Sequence, residues 1–127
     1  MIVFFLQEER KVEHILFFPS NLNEDISGES RVIEHYADRE QTIERFLNEL
    51  ILGPVSLHHS RILPKNTKLN LVILRDNSLY VDFSIEVIID RDGIKLSFME
   101  IEEIIHRSLR FNFPYLNSII LSGDGQL

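Results

Sequence analysis

The segment that most constrains the fold is an amphipathic helix predicted over residues 39–52. Apolar residues recur there at helical spacing and share one face: Ile43, Phe46, Leu47, Leu50 and Ile51. Asp38 precedes the run as an N-cap, and Gln41 stands where a capping box requires a polar side chain. Gly53 allows a left-handed stop, and Pro54 prevents continuation. Because one face of this helix is apolar, the rest of the chain must supply an apolar surface that covers it.

Runs rich in β-branched and aromatic residues predict strands in the rest of the chain. They cover residues 12–18, 31–36, 67–74, 78–84 and 119–121. The polar residues 20–30 predict a loop, and residues 87–96 predict a small extra hairpin closed on a glycine. Ser97 with Glu100 predicts a capping box that opens a second amphipathic helix, which runs to about Phe111. Its predicted apolar face repeats at helical spacing and consists of Phe98, Ile101, Ile104, Ile105, Ser108 and Leu109.

The predicted order is therefore strand, strand, helix, hairpin, helix, strand. Two amphipathic helices need one shared apolar surface, and a single sheet supplies it. The sequence thus predicts an α/β (α+β) fold of two layers, in which one mixed sheet carries both helices on one face. The strand at residues 67–74 is apolar on both faces apart from Asn70, so it is predicted to be the central strand.

Composition excludes several classes of protein. Twenty acidic residues against thirteen basic ones give a net charge of −7, which repels the phosphates of nucleic acids. The absence of cysteine excludes disulfides, thiolate zinc sites, iron–sulfur clusters and cysteine nucleophiles. Histidines and carboxylates do not recur at metal-ligand spacing, and glycine is too scattered for a phosphate-binding loop. We therefore predict neither a metal nor another cofactor.

The N-terminus carries five large apolar residues, Ile2–Leu6, ahead of a charged stretch. This run is too short to span a membrane, which takes about 20 residues. Two interpretations are equally open: it is the tail of a membrane anchor, or it is a first strand or a terminus packed on the domain. Residues 1–11 are interpreted as a remnant of an anchor or linker, and residues 12–127 as a single domain.

The stretch between Leu50 and Arg75 contains no acidic residue, although the chain as a whole is acidic. Its cationic side chains are those of Arg61, Lys65, Lys68 and Arg75. They are interpreted either as part of a solvated loop, which is the favoured reading, or as a docking patch for an acidic partner. One such partner is the first fifty residues of a neighbouring copy, which hold eleven acids and five bases, a net charge of −6.

Three further groups of residues are weaker candidates for chemistry. His58 and His59 are adjacent in a loop, where neighbouring side chains diverge, and a solvated loop is the favoured interpretation. Ser56 beside either histidine suggests a hydrolytic triad, but the Gly-x-Ser-x-Gly turn that presents a nucleophile is missing. Asp82 lies in an apolar strand, where a charge is costly unless it is hydrogen-bonded. Its carboxylate either binds a ligand or forms a hydrogen bond that connects the strand end to Ser84 or to a loop amide.

Four motifs mark the ends of the predicted elements. The first helix ends in Leu50–Pro54, a leucine-rich stretch closed by Gly-Pro, and Ile62–Leu69 follows it with a Pro-Lys-Asn-Thr-Lys core. The strand Tyr80–Ser84 comes next, and Phe113–Leu116 follows the second helix. In order and spacing these motifs resemble the GerMN domain of sporulation and spore-germination proteins, with Asn66 in place of the usual glycine. The motif positions are Gly53, Pro54, Tyr80, Val81, Asp82, Phe83, Ser84 and Pro114.

The resemblance to GerMN domains implies an extracytoplasmic domain behind a membrane anchor or lipid attachment, with a fold like that of ring-building domains. It implies no catalytic residues. We therefore predict a non-enzymatic interaction or scaffold domain of the bacterial cell envelope, in the periplasm or at the outer face of the inner membrane. Its predicted partner is another protein or a second copy of itself. The alternative is a binding module for an anionic envelope ligand, such as a glycan strand or a lipid headgroup.

Three structural observations distinguish these classes from one another and from a small hydrolase, the least favoured class. An exposed apolar strand edge or helix face favours the scaffold. A deep pocket that joins Asp82 to the basic stretch favours ligand binding. Two titratable groups that converge in a cleft favour an enzyme.

Overall fold

The computed structural model describes residues 10–23 and 25–126, and strands are the first and last elements of that part of the chain. Within these residues the strands are β1 (Arg10–Pro19), β2 (Ile26–His35), β3 (Leu69–Arg75), β4 (Ser78–Phe83) and β5 (Ser118–Gly123). The helices are α1 (Arg39–Leu52), α2 (Glu86–Ile89) and α3 (Phe98–Asn112). The predicted α+β class is confirmed.

The described strands form two sheets, so the prediction of a single sheet was wrong. β1 and β2 pair with each other as an antiparallel hairpin, from Arg10 opposite His35 to Pro19 opposite Ile26. β3, β4 and β5 form a separate mixed sheet in which β4 is antiparallel to β3 and parallel to β5. Residue patterns identify strands, but they do not identify which strands pair.

Side chains of α3 explain why, among the described strands, only β2 pairs with β1. The backbone N–H of Ile15 donates to the Asn112 side chain at 3.0 Å, and Asn112 Nδ2 donates back to the Ile15 carbonyl at 2.7 Å. The N–H of Phe17 donates to Ser108 Oγ at 3.2 Å. The helix thus satisfies the backbone groups that a neighbouring strand would otherwise bind.

β2 begins at Ile26, inside the segment predicted to be a loop. The prediction failed because this part of the strand is polar, and its regular structure comes from the ladder with β1 rather than from its own composition. Gly28 lies opposite Phe17. A Cβ at that position would come within 2.5 Å of Ile15 Cγ2, so the glycine permits the two strands to approach each other.

Helix α1 has the predicted bounds and the predicted N-cap. Asp38 Oδ1 accepts from the N–H of Glu40 at 3.0 Å. Gln41 does not complete a capping box; instead the Thr42 hydroxyl accepts from the N–H of Tyr36 at 2.8 Å. Gly53 ends the helix at a φ of +91°, a conformation that residues with a Cβ rarely adopt. The predicted apolar face is buried.

The prediction that the strand at residues 67–74 is central was wrong: β3 is an edge strand, and β4 lies at the centre. Helix α1 packs against both β2 and β3, whereas the apolar side chain of Leu71 in β3 remains 44% exposed. The outward N–H of Leu74 donates to the Glu40 carboxylate of α1 at 2.9 Å. A helix rather than another strand therefore covers this part of the edge.

The hairpin predicted over residues 87–96 was also wrong. The first apolar run lies in the short helix α2, closed by the Asp90 N–H donating to the Glu86 carbonyl at 2.9 Å. The second run is not a strand, and Gly93 occupies a turn with a φ of +77°. Three β-branched residues in a row favour a strand on propensity, but here the burial of Val87 decides in favour of the helix.

One hydrophobic core joins both sheets to α1 and α3. Its largest fully buried side chains are Leu16, Phe18, Ile33, Ile43, Phe46, Leu47, Leu50, Ile62, Leu63, Leu79, Ile104 and Ile105. The N-terminal run Ile2–Leu6 lies outside the described residues, and β1 begins at Arg10, two residues before the predicted strand. Among the described helices, none has the length and apolar character needed to cross a membrane.

Candidate functional site

An apolar cleft of about 240 Å³ opens between α2, α3 and β5. Its walls include side chains from each of the three elements and from β4: Phe83, Val87, Ile88, Ile101, Ile105 and Leu121. The polar groups that reach it are few, namely Glu102, Ser122 and Gln126. A cleft lined in this way suits an apolar group of a partner rather than a charged ligand.

The cleft exists because α2 approaches β5 closely. Gly123 ends β5, and a Cβ there would stand 2.6 Å from Val87 Cγ1 and 3.1 Å from Ile88 Cγ1. Any other residue would push α2 away from the sheet. On the opposite wall, the capping box of Ser97 and Glu100 begins α3, as predicted.

Large apolar side chains remain exposed in and beside the two helices that line the cleft. Ile85 precedes α2 and Ile89 ends it, and they are 41% and 64% exposed. Phe98, which also lines the cleft, and Met99 begin α3 and are 53% and 73% exposed. The Arg91 guanidinium lies 4.5 Å above the ring of Phe98. We call Ile85, Ile89, Phe98 and Met99 the apolar rim. The sequence predicted Phe98 as part of the buried helix face, but it lies in this rim instead.

Asp82 is buried in β4, and its carboxylate is fully engaged. Oδ1 accepts from Ser122 Oγ at 2.6 Å and from the Gly125 N–H at 2.8 Å, and Oδ2 accepts from Asn70 Nδ2 at 3.1 Å. Burial raises the pKa of Asp82, but these hydrogen bonds outweigh it and leave the pKa below its ordinary value. Of the two readings of Asp82, these contacts match the one in which its carboxylate is hydrogen-bonded to a loop amide, here that of Gly125. Ser84 is not its partner, since its hydroxyl accepts from the Lys68 N–H.

The structure does not gather the four predicted cationic residues into one surface. The Arg61 guanidinium donates to the carbonyls of Ile51 and Leu52, each at 2.8 Å, so it caps the C-terminus of α1. Lys65 and Lys68 are exposed and lie near one end of β3. Arg75 is exposed at the other end of this seven-residue strand, roughly 20 Å away at the usual rise per residue.

A second group of polar residues meets at Glu29, in the segment predicted to be a loop. Its carboxylate accepts from the N–H groups of Val55 and Ser56, at 2.8 and 3.0 Å, and also from Arg31. Burial raises the pKa of Glu29, but hydrogen bonds from the two amides, His59 and Arg31 outweigh it and lower the pKa to about 2. Glu29 thus fastens the loop after α1 to strand β2.

His59 lies between Glu29 and Ser27, so it is not the solvated side chain that the sequence favoured. Its Nδ1 is 3.1 Å from Glu29 Oε1, and its Nε2 is 2.7 Å from Ser27 Oγ. The ring packs 6.0 Å from that of Phe18, and the side chain is only 9% exposed. His58 is exposed. The Ser56 hydroxyl accepts from the backbone N–H of His58 at 3.1 Å, and it is Ser27, not Ser56, whose hydroxyl contacts a histidine ring.

Ion pairs extend this cluster onto α1. Arg31 also contacts Glu49, and Arg45 bridges Glu49 at 2.7 Å and Glu34 at 2.8 Å. Elsewhere, the rings of His14 and His35 stack 6.3 Å apart on neighbouring strands, and burial lowers the pKa of His14. In the part of the chain that the structure describes, no three metal-ligating side chains converge on one point.

The sequence matches the family model Germane, described as sporulation and spore germination, over residues 15–127. The chain belongs to this family. The predicted GerMN resemblance is therefore confirmed. A comparison with curated proteins finds none that matches the sequence.

Two solved structures share the fold of this Germane domain. The tandem GerMN domains of the sporulation protein GerM from Bacillus subtilis superpose with a TM-score of 0.64 at 16% identity, covering 99% of this chain and 42% of that one. A chain described as "Putative Lipoprotein from Clostridium perfringens" gives a TM-score of 0.51 at 22% identity, covering 92% of this chain and 77% of that one. At these identities the likeness shows the fold alone.

The GerMN motif positions lie in or next to β4 and after the ends of α1 and α3. Val81 and Phe83 are buried in the core, and Gly53 and Pro54 follow the end of α1. The Tyr80 hydroxyl is 3.0 Å from Ser122 Oγ, which in turn bonds Asp82. Pro114 is exposed after α3, and Ser84 is buried.

Sequence reasoning missed both the cleft and the cluster at Glu29. The cleft depends on α2, a helix whose run of β-branched residues indicated a strand instead. The cluster had one readable signal: Ser27, Glu29 and Arg31 alternate along the chain and so share one face if the segment is a strand. Nothing in the pattern placed His59 beside them, because that contact depends on how the loop after α1 folds back.

Proposed function

We propose that this Germane domain is a non-enzymatic interaction domain of the bacterial cell envelope, and that its protein partner docks on the cleft between α2 and α3. The observation that carries the proposal is the exposed apolar rim of that cleft. An uncovered apolar helix face is the feature that favours a scaffold over a ligand-binding module or an enzyme.

The composition of the rim supports this role. Three of its members are more than half exposed, and they lie beside a cleft that is itself apolar. Aromatic residues and methionine are enriched in the centres of protein interfaces, and charged residues are depleted there. Glu102 in the wall of the cleft and Arg91 over the ring of Phe98 would supply the polar groups of such a contact.

The partner we propose is a second GerMN domain. The GerM structure consists of tandem GerMN domains, and this chain covers less than half of it, so that protein carries more than one such domain in a chain. A second copy of this domain would present the same apolar cleft. Identical patches can pair around a two-fold axis, which is the commonest arrangement of homo-oligomers.

Sedimentation velocity of the purified domain tests this proposal. We expect concentration-dependent association that is abolished in an Ile89→Asp/Met99→Asp variant, because each charge would be buried in the contact. Leu57→Asp is the matched control, since Leu57 is 91% exposed in the loop after α1, and it should associate like the wild type. A wild-type domain that stays monomeric at the highest soluble concentration, or a control that loses association equally, would contradict the proposal.

The location we propose is extracytoplasmic, behind a membrane anchor or lipid attachment. The sporulation family supports it, and so does the Clostridium perfringens relative, whose description names a lipoprotein. In spheroplasts with an intact inner membrane, added protease should digest the domain in the full-length protein. Protection of the domain until the membrane is dissolved would place it in the cytoplasm instead.

The alternative function, binding of an anionic envelope ligand, has one supporting observation: Lys65 and Lys68 are exposed close together in a chain of strongly negative charge. Asp82 does not contribute, because its oxygens are already hydrogen-bonded. Binding through exposed lysines would fade as salt rises, whereas docking on the apolar rim would persist. A Lys65→Glu/Lys68→Glu variant that loses association at low salt would therefore support the basic surface against the cleft.

A further inference from the structure

Ser27, His59 and Glu29 are arranged as a nucleophile, a base and the group that orients the base. Because Glu29 is ionised at neutral pH, it can only accept, so Nδ1 of His59 carries the proton that is donated across 3.1 Å. In the neutral imidazole Nε2 then has a free lone pair, to which the Ser27 hydroxyl can donate across 2.7 Å. This is the direction of proton transfer that activates a serine.

Exposure of the three residues fits the same roles. The His59 side chain is 9% exposed and the Glu29 side chain 10%, so the base and its carboxylate are largely shielded from water. Ser27, by contrast, lies exposed on β2, where a reagent can reach its hydroxyl. Glu29 is held by two backbone amides and by Arg31, so His59 faces a fixed carboxylate.

We propose that Ser27 is an acyl-acceptor site, modified at Oγ by activated carboxylic esters or thioesters, with His59 as the general base. Oγ attacks the carbonyl carbon while Nε2 of His59 takes the hydroxyl proton. The bond to the leaving alcohol or thiol then breaks, that group departs with the bonding electron pair, and His59 returns the proton to it. The products are an ester of Ser27 and a free alcohol or thiol, so no other reactant is needed.

The site is expected to accept one acyl group and to keep it. Ser27 lies inside a paired strand, opposite Phe18, rather than on the strained turn that presents the serine of hydrolases. No backbone strain marks the position, since the residues with positive φ lie elsewhere in the described chain. An activated ester or thioester carries a good leaving group, whereas the ester formed on Ser27 would have to expel a serine alkoxide, so hydrolysis of the product is expected to be much slower than its formation. A serine that is acylated once does not make the domain an enzyme, so this inference is independent of the scaffold role proposed above.

p-Nitrophenyl acetate provides the probe. After incubation with the full chain, peptide mapping by mass spectrometry should place one acetyl group on Ser27, and Ser27→Ala should abolish it. Ser30→Ala is the matched control, because Ser30 is exposed on the same strand with no histidine contact, and it should be labelled like the wild type. General-base assistance is worth about 10²–10⁴-fold, so His59→Gln should slow labelling of Ser27 by at least about 100-fold.

Glu29 is a positioning residue in this scheme. Its test compares the rates at which Ser27 and Ser30 are acetylated in the same molecule. Glu29→Gln should lower the ratio of Ser27 to Ser30 labelling, whereas a general loosening of the fold would raise both rates. Equal labelling of the two serines in the wild type, or acetylation confined to lysines, would overturn the proposal. Release of nitrophenol beyond one equivalent, lost in Ser27→Ala, would overturn it too and would also contradict the non-enzymatic role.

Discussion

Replacing Glu29 with glutamine tests how the loop after α1 is held. The pKa of Glu29 is lowered from an ordinary 4.5 to about 2, which corresponds to about 3 kcal/mol of stability at neutral pH. Because the pKa in the folded state lies below that of the unfolded chain, this contribution is complete above the ordinary pKa and is lost as the pH falls toward 2. Near pH 3 roughly 2 kcal/mol of it should already be gone.

Urea unfolding at several pH values measures the effect. Glu29→Gln should lower the free energy of unfolding by about 3 kcal/mol at neutral pH, and the difference from the wild type should shrink to about 1 kcal/mol near pH 3. Hydrogen bonds also hold the pKa of Asp82 below its ordinary value, so Asp82 adds to the acid sensitivity of both proteins. The quantity of interest is therefore the difference between variant and wild type, not the acid sensitivity of either.

Glu44→Gln is the matched control, since Glu44 is an exposed carboxylate on α1 outside the described ion pairs. Its difference from the wild type should be small, because an exposed carboxylate contributes little to stability. If Glu29→Gln gave a difference that does not change with pH, the carboxylate would not be held ionised by the loop amides. His59 would then lack the fixed, ionised carboxylate that orients it as a base.

Three further outcomes are expected. Gly53→Val should cost about 1–2 kcal/mol, because Gly53 has a φ of +91° and a Cβ would meet the Arg61 guanidinium at 3.1 Å; an unchanged melting curve would show that α1 does not end there. Asp82→Ala should cost about 2–3 kcal/mol, because it leaves Gly125 N–H and Ser122 Oγ without their acceptor, and equal stability by urea unfolding would contradict this. Elemental analysis of untagged protein should find no stoichiometric transition metal, and one zinc per chain would overturn that expectation.

Much of this architecture was readable in the sequence, because local interactions dictate it. The spacing of Ile43, Phe46 and Leu50 gave α1 its buried face, and Asp38 and Gly53 gave its ends. The capping box that begins α3 and the buried alternation of β4 were predictable for the same reason. In each case the residues that decide the structure lie within a few positions of one another.

What the sequence could not provide depends on residues that are distant along the chain. β1 and β2 form a sheet of their own because Asn112 and Ser108, about ninety residues further on, bind the outer edge of β1. β3 lies at an edge because α1 covers it. Strand propensity cannot report either fact, since it measures a preference for extended backbone and not the choice of neighbour.

The two candidate sites also depend on contacts between residues that are distant along the chain. The sequence by itself determined which residues are apolar, which are charged, and that no cysteine chemistry is available. Only the tertiary structure decided that α2 packs on Gly123 to open a cleft, and that His59 meets Glu29 and Ser27 thirty residues away. Both sites form because burial of a common core brings segments together that are distant in the sequence. Such packing depends on the whole chain and not on any local pattern.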